Sequence, residues 1–181
     1  MVRYEGPMTA PIEIDVWQGE IAELEVDALV VGASESLFMT TGAAAAVKRH
    51  GGDAIERAAV DQGPIGPGAA VATSGGTLAA PYVIHAVAVG HDRIADPARL
   101  RSAVRSALAL CDPLQLHRIA VAPLGIEHGV FPIEDAADLL VATLVAEASA
   151  HGLESIVIAT GHAAEARAVA DALAKERARV G

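Results

Sequence analysis

The feature that most constrains the fold is an alternation. Six short apolar runs rich in β-branched residues, at 12–17, 28–31, 69–72, 82–87, 118–122 and 155–159, are each bounded by Gly, Pro, Asp or Ser, and helical patterns lie between most of them. Short apolar strands separated by helices specify an α/β domain with a largely parallel sheet. The clearest helix starts at Asp96-Pro97, an N-cap followed by proline at the first helical position. Leu100, Val104 and Leu108 then recur at i+4 until Asp112-Pro113. A second helix starts near Pro132, carries Glu134 and Asp135 in its first turn, and runs to His151-Gly152. Leu140, Leu144 and Ala148 form its expected buried stripe, flanked by Val141 and Val145. Further helices are expected over 42–50, 53–60 and about 163–179. The runs on either side of TSGGTLAAP have no helix between them, so they pair differently from βαβ units and make the sheet mixed.

Composition narrows the class. The chain has 181 residues and a 52% hydrophobic fraction that includes only two Phe, two Tyr and one Trp, so its buried layers are aliphatic. No charge block or linker divides it, and one domain over 1–181, with a core of about 12–175, is expected. A formal net charge of −10 argues against a nucleic-acid polymer as partner. Cys111 is the only cysteine, which excludes intramolecular disulfides and cysteine-based zinc sites. The N-terminal stretch MVRYEGPMTAPIEI has no apolar signal-like region, and no run approaches the roughly 18 apolar residues of a membrane span. The expectation is a soluble, cytoplasmic chain without membrane partner, metal or cofactor, monomeric or homodimeric.

Two segments repeat one logic. In DALVVGASESLFMTTGAAAAVKRHGG, residues 27–52, a buried strand opens into small and hydroxyl-bearing residues just ahead of a helix. In HRIAVAPLGIEHGVFP, residues 117–132, a strand leads into a loop with Gly125 and Gly129 before the helix at Pro132. Loops of this kind hold anions on backbone N–H groups and need no basic side chain. Parallel strands would bring both loops to one C-terminal edge, across one cleft.

At this level of detail the chain resembles the macro domain, from about residue 16 to residue 160. WQGEIAELEVDALVVGAS is similar to the family's opening, a strand ending in G-D-I and a second of the form V-D-A-I-V with N-A-A-N. GPGAAVATSGGTLAAPYVIHAVAVG is similar to its middle, G-x-A-x-x-T-x-G-x-L and a Y-V-I-H strand, and is the most specific match. APLGIEHGVFP stands in the place of its second phosphate loop. The resemblance implies a three-layer α/β/α fold with a central mixed, mostly parallel sheet. It also implies binding of ADP-ribose or a related nucleotide, and in some members hydrolysis of ADP-ribosyl linkages.

Roles implied by the resemblance fall on altered residues. Glu20 replaces the Asp that accepts a hydrogen bond from the adenine amino group, with Ile21 beside it. N-A-A-N is here Val31, Gly32, Ala33 and Ser34, so both amide side chains are gone and Ser34 offers one hydroxyl. The first phosphate loop becomes Phe38, Met39, Thr40, Thr41, Gly42 and Ala43, with a single glycine. The second contributes Gly125, Ile126, Glu127, His128, Gly129 and Val130; there Glu127 takes the place of a glycine, and a carboxylate near a diphosphate costs about 1 kcal/mol or more. His162 is the only candidate to stack on the base.

Competing uses of these residues remain open at this stage. Glu127 and His128 invite acid/base chemistry on an activated water, against a solvated loop. Adjacent residues of an extended segment point in opposite directions, which tells against a shared reacting atom. Thr40, Thr41 and Gly42 suit either a phosphate or ordinary helix capping. His85, inside a strand, is expected to make a buried hydrogen bond that fixes a neighbouring loop. His50, His91, His117 and His151 share no metal-ligand spacing, and Cys111 reads as a core thiol. The Gly/Pro run at 63–68 follows a helix and precedes a strand, the wrong context for a dinucleotide loop. Three functions follow: a divergent ADP-ribose-binding macro module, a hydrolase of ADP-ribosyl or phosphate esters, or an interaction module presenting exposed Phe38 and Met39.

Overall fold

A computed structural model describes residues 12–126 and 129–180. Its centre is a six-stranded sheet in the order β1-β6-β5-β2-β4-β3. The strands are β1 (Glu13–Gln18), β2 (Ala28–Gly32), β3 (Ala70–Ser74), β4 (Tyr82–Ala86), β5 (Arg118–Val121) and β6 (Ser155–Thr160). All neighbouring pairs are parallel except β3 with β4, the hairpin that lacks an intervening helix. The helices are α1 (Gly42–Gly51), α2 (Asp53–Val60), α3 (Pro97–Ala109), α4 (Ile133–Glu147) and α5 (Ala163–Val180).

Strand alternation sorts these helices onto two faces. Ala28, Val30, Ile84, Ile119, Val121, Ile156 and Ile158 face one way and share a core with α3, α4 and α5. Leu29, Val31, Val83, Ala120 and Ala159 face the other way, against Ala44 and Val47 of α1 and Ile55 of α2. Covered on both sides, β2 carries no polar residue among its buried positions, as a central parallel strand must. The result is the expected three-layer α/β/α arrangement with a mixed, mostly parallel sheet.

Helix ends follow local chemistry. Asp96 caps α3 by accepting from the Ala98 amide at 2.8 Å, with Pro97 in the first turn. Leu100, Val104 and Leu108 are buried, as are Leu140, Leu144 and Ala148. Two departures stand out. The α-helical part of α4 ends at Glu147, and a 3-10 turn, Ala148–His151, completes the segment before Gly152 turns it at φ 64°. Val145 is 37% exposed, because one stripe of α4 is enough to cover its share of the sheet.

At the N-terminal edge, Asp27 ties β2 to β5. Its carboxylate accepts from the amides of His117 and Arg118, each at 2.8 Å. Burial works to raise the Asp27 pKa, but the Arg118 and His117 amides and the charges of those residues outweigh it and hold the carboxyl below its ordinary 3.8. A depressed carboxylate contributes stability above its unfolded-state value and loses it as pH falls through the folded one. Asp27→Ala is expected to cost about 1 kcal/mol near neutral pH by urea unfolding, since solvent screening weakens both bonds, and less below pH 3.8.

Candidate functional site

The C-terminal ends of β2 and β5 are neighbours, yet their chains leave in opposite directions: α1 packs on one face and α4 on the other. Such a divergence opens a crevice beyond the strand ends, where open α/β sheets bind ligands. A cleft of about 440 Å³ lies at the ends of β1, β6 and β5, beside the start of α1, within the range of small-molecule sites. Its floor is Ala122 and Pro123 after β5, with Ile126 beyond them. Gly42, Ala43 and Ala46 of α1 form one wall. Gly19, Glu20 and Ile21 after β1 line it too, as do Ala159, Gly161, His162 and Glu165 around the end of β6.

Thr41 precedes α1 in an extended conformation, but its hydroxyl makes no capping hydrogen bond, and the first turn holds no acidic residue. The first N–H groups of α1 thus keep the partial positive charge of a helix N-terminus where Gly42 and Ala43 meet the cleft. In α2 and α4 acidic residues occupy the first turn instead. Glu20 is held loosely: it meets Arg49 at 3.5 Å with both side chains largely exposed, a pair of little strength that can turn toward another donor. Its neighbour Gly19 lies against the Trp17 ring, which would have to shift to admit a Cβ there. At the far wall, Glu165 accepts from the Gly161 amide at 3.1 Å and fixes the entry to α5, leaving His162 exposed at the mouth.

The other expected site residues are distributed as follows. Ser34, Thr40 and Thr41 line a separate depression of about 30 Å³, with Phe38 and Ala44. Gly125 turns at φ 89°, and a Cβ on it would press on Leu100 at 2.9 Å and Phe131 at 3.2 Å, so this turn is anchored to α3 and the start of α4. Gly129 donates to the Ile126 carbonyl at 2.9 Å, and Val130 packs against the larger core. Glu127 and His128 lie outside the described residues. Sequence reasoning missed Gly19, Ala46, Ala122, Pro123, Ala159, Gly161 and Glu165. Most of them flank the C-terminal ends of β1, β5 and β6, so strand ends were the available signal.

The loop before α1 corrects one expectation. Phe38 is 52% exposed, but Met39 is 2% exposed and sits in the core with Leu29, Val31 and Ile55. Met39 is pulled inward from both ends of its backbone environment. Its amide donates to Glu56 at 2.7 Å, a carboxylate that also holds Lys48 at 2.7 Å, and Leu37 just before it is wholly buried at φ 63°. Neither Phe38 nor Met39 lines the larger cleft.

His85, His151 and Cys111 have structural surroundings. His85 is fully buried and pairs through Nε2 with the Thr73 hydroxyl at 3.0 Å, so it secures the edge strand β3 rather than a loop. His151 meets Asp112 at 2.8 Å. Among the described residues no cluster of His, Cys, Asp or Glu suits a metal. Burial, with a smaller contribution from Asp112, pushes the Cys111 thiol up to about 12, where it carries no thiolate at neutral pH.

A central mixed sheet between two helical layers, with a cleft at its strand ends, defines a three-layer α/β/α domain. The sequence profile of the macro domain matches residues 30–140. A macro domain-containing protein of Cupriavidus necator is 38% identical over 138 residues, which is 72% of this chain and 79% of that one. An uncharacterized protein of Mycobacterium tuberculosis is 35% identical over 136 residues, 75% of this chain. The match spans 38% of that longer relative. In structure, the macrodomain of Oceanobacillus iheyensis with MES bound superposes with a TM-score of 0.84 at 18% identity, covering 91% of this chain and 92% of that one. The Trypanosoma brucei macrodomain in complex with ADP-ribose superposes with a TM-score of 0.82 at 23% identity, covering 89% and 69%. The chain belongs to the macro-domain family.

Desolvation depresses the His85 pKa from 6.5 to about 4. Unfolded chains bind this proton below pH 6.5 and the folded protein refuses it until about pH 4, so the stability it contributes is complete above 6.5 and disappears as pH falls through that window. His85→Gln, which does not titrate, is expected to remove on the order of 3 kcal/mol from the fall in unfolding free energy between pH 7 and pH 4. Urea titrations of both proteins across that range check it.

Proposed function

We propose that this chain is a macro module that binds ADP-ribose or a related nucleoside diphosphate in the cleft at the ends of β1, β6 and β5. One observation carries the assignment: the uncapped, acid-free N-terminus of α1 meets the same cleft as the loop after β5. Phosphate oxygens accept from the free N–H groups at Gly42 and Ala43, and the macrodipole favours their charge. The base lies toward Glu20 and Ile21, where a loosely paired carboxylate is available to an exocyclic amino group. His162 lies at the mouth on that side and offers its ring as a stacking surface. Ser34, Thr40 and Thr41 are set beyond the helix start, while Gly125, Ile126, Gly129 and Val130 shape the opposite loop. Support comes also from the T. brucei relative of the same fold, which carries ADP-ribose in one structure and ADP in another.

Calorimetry with ADP-ribose, ADP and AMP tests the assignment; no heat at millimolar ligand would overturn it. Ala43→Asp puts a carboxylate at the α1 N-terminus. It is expected to weaken binding at least tenfold while leaving thermal stability equal or slightly higher, because an acid in a first turn favours the helix. A variant that melts earlier and binds normally would contradict both halves of this expectation.

A further inference from the structure

Beyond the first turn of α1 the site changes character. Gly42 and Ala43 face the large cleft, whereas Thr40, Thr41 and Ala44 face the depression of about 30 Å³ on the other side of the same turn. A group attached to a phosphate at Gly42 and Ala43 that crosses the helix start meets this depression. About 10–15 Å³ holds one water molecule. The depression therefore admits about two or three waters, and a pentose is larger.

Phe38 is the one large apolar side chain lining this depression, and it has no buried space to enter. Leu37 and Met39 on either side are buried, the Met39 amide is held by Glu56, and the space beneath is filled by Ala59 and Val87 around Leu37 and by Val31 and Ile55 around Met39. The ring is left half exposed beside the depression it lines with Ser34 and Thr41. A sugar that stays in water makes few contacts, and ordering it still costs free energy.

We propose that Phe38 determines ligand selectivity, and that the site takes nucleoside diphosphates ending at the second phosphate in preference to those carrying a further sugar. This rests on the nucleotide-binding assignment above. The test is calorimetry with ADP and ADP-ribose on the wild type, Phe38→Ala and Phe38→Leu, with thermal melts of each. The expected result is that ADP-ribose binds the wild type no more tightly than ADP. In Phe38→Ala the ratio of the ADP-ribose Kd to the ADP Kd falls at least fivefold, and in Phe38→Leu it moves the same way by less. The leucine variant decides the direction if the alanine variant does not fold. Tighter binding of ADP-ribose than ADP by the wild type, or a ratio unmoved in the folded variants, overturns the selectivity while leaving nucleotide binding intact. Silence from both ligands overturns the nucleotide-binding assignment itself, and the selectivity with it.

Discussion

The structure depends on the parallel pairing of β2 with β5. Ala28, Leu29 and Val30 lie beside Ile119, Ala120 and Val121, with Asp27 clamping the two strands where they begin. Because α1 covers one face and α4 the other, the chain must part at the far end of this pair. A crevice at a topological switch is a consequence of where the helices go, not of any residue in it. The cleft is therefore built into the scaffold, and the family membership follows from the scaffold together with sequence similarity.

Side chains around the cleft then decide its chemistry. Most are small or aliphatic, so backbone groups dominate the wall formed by α1, and the absence of an acid in its first turn leaves those groups unneutralised. Glu165 is occupied in fixing the Gly161 amide, and Glu20 is held only by an exposed arginine. The two carboxylates thus differ in availability although both face one space. The loop ahead of α1 is a second decision point, since the alternation of buried Leu37, exposed Phe38 and buried Met39 leaves an aromatic edge at the far side of the helix start.

Much of the scaffold was legible in the chain because its signals are local. The expected strands fall within two residues of β1 to β6 at every boundary, and the Asp96-Pro97 helix start is where an N-cap and a proline put it. The antiparallel β3–β4 pair follows from the missing helix between them. The candidate site was legible in part: Glu20, Ile21, Gly42, Ala43, Ile126 and His162 share the cleft, but Ser34, Thr40 and Thr41 lie across the helix start. Met39 was expected at the surface and is buried, because its direction depends on the left-handed turn at Leu37 and on Glu56, a residue one helix away. The partner of His85 was misplaced for a similar reason, since Thr73 belongs to a neighbouring strand.

By itself the sequence determined which segments become strands and helices and that the sheet is mixed, since apolar period, caps and the helix-free connection act over a few residues. It also carried the family's motif spacing. Tertiary structure alone decided which small residues border the cleft, which loop side chains turn inward, and that α1 begins without a side-chain cap. Those outcomes depend on contacts between segments far apart in the chain, where packing and hydrogen bonding compete for each side chain and no local pattern records which one prevails.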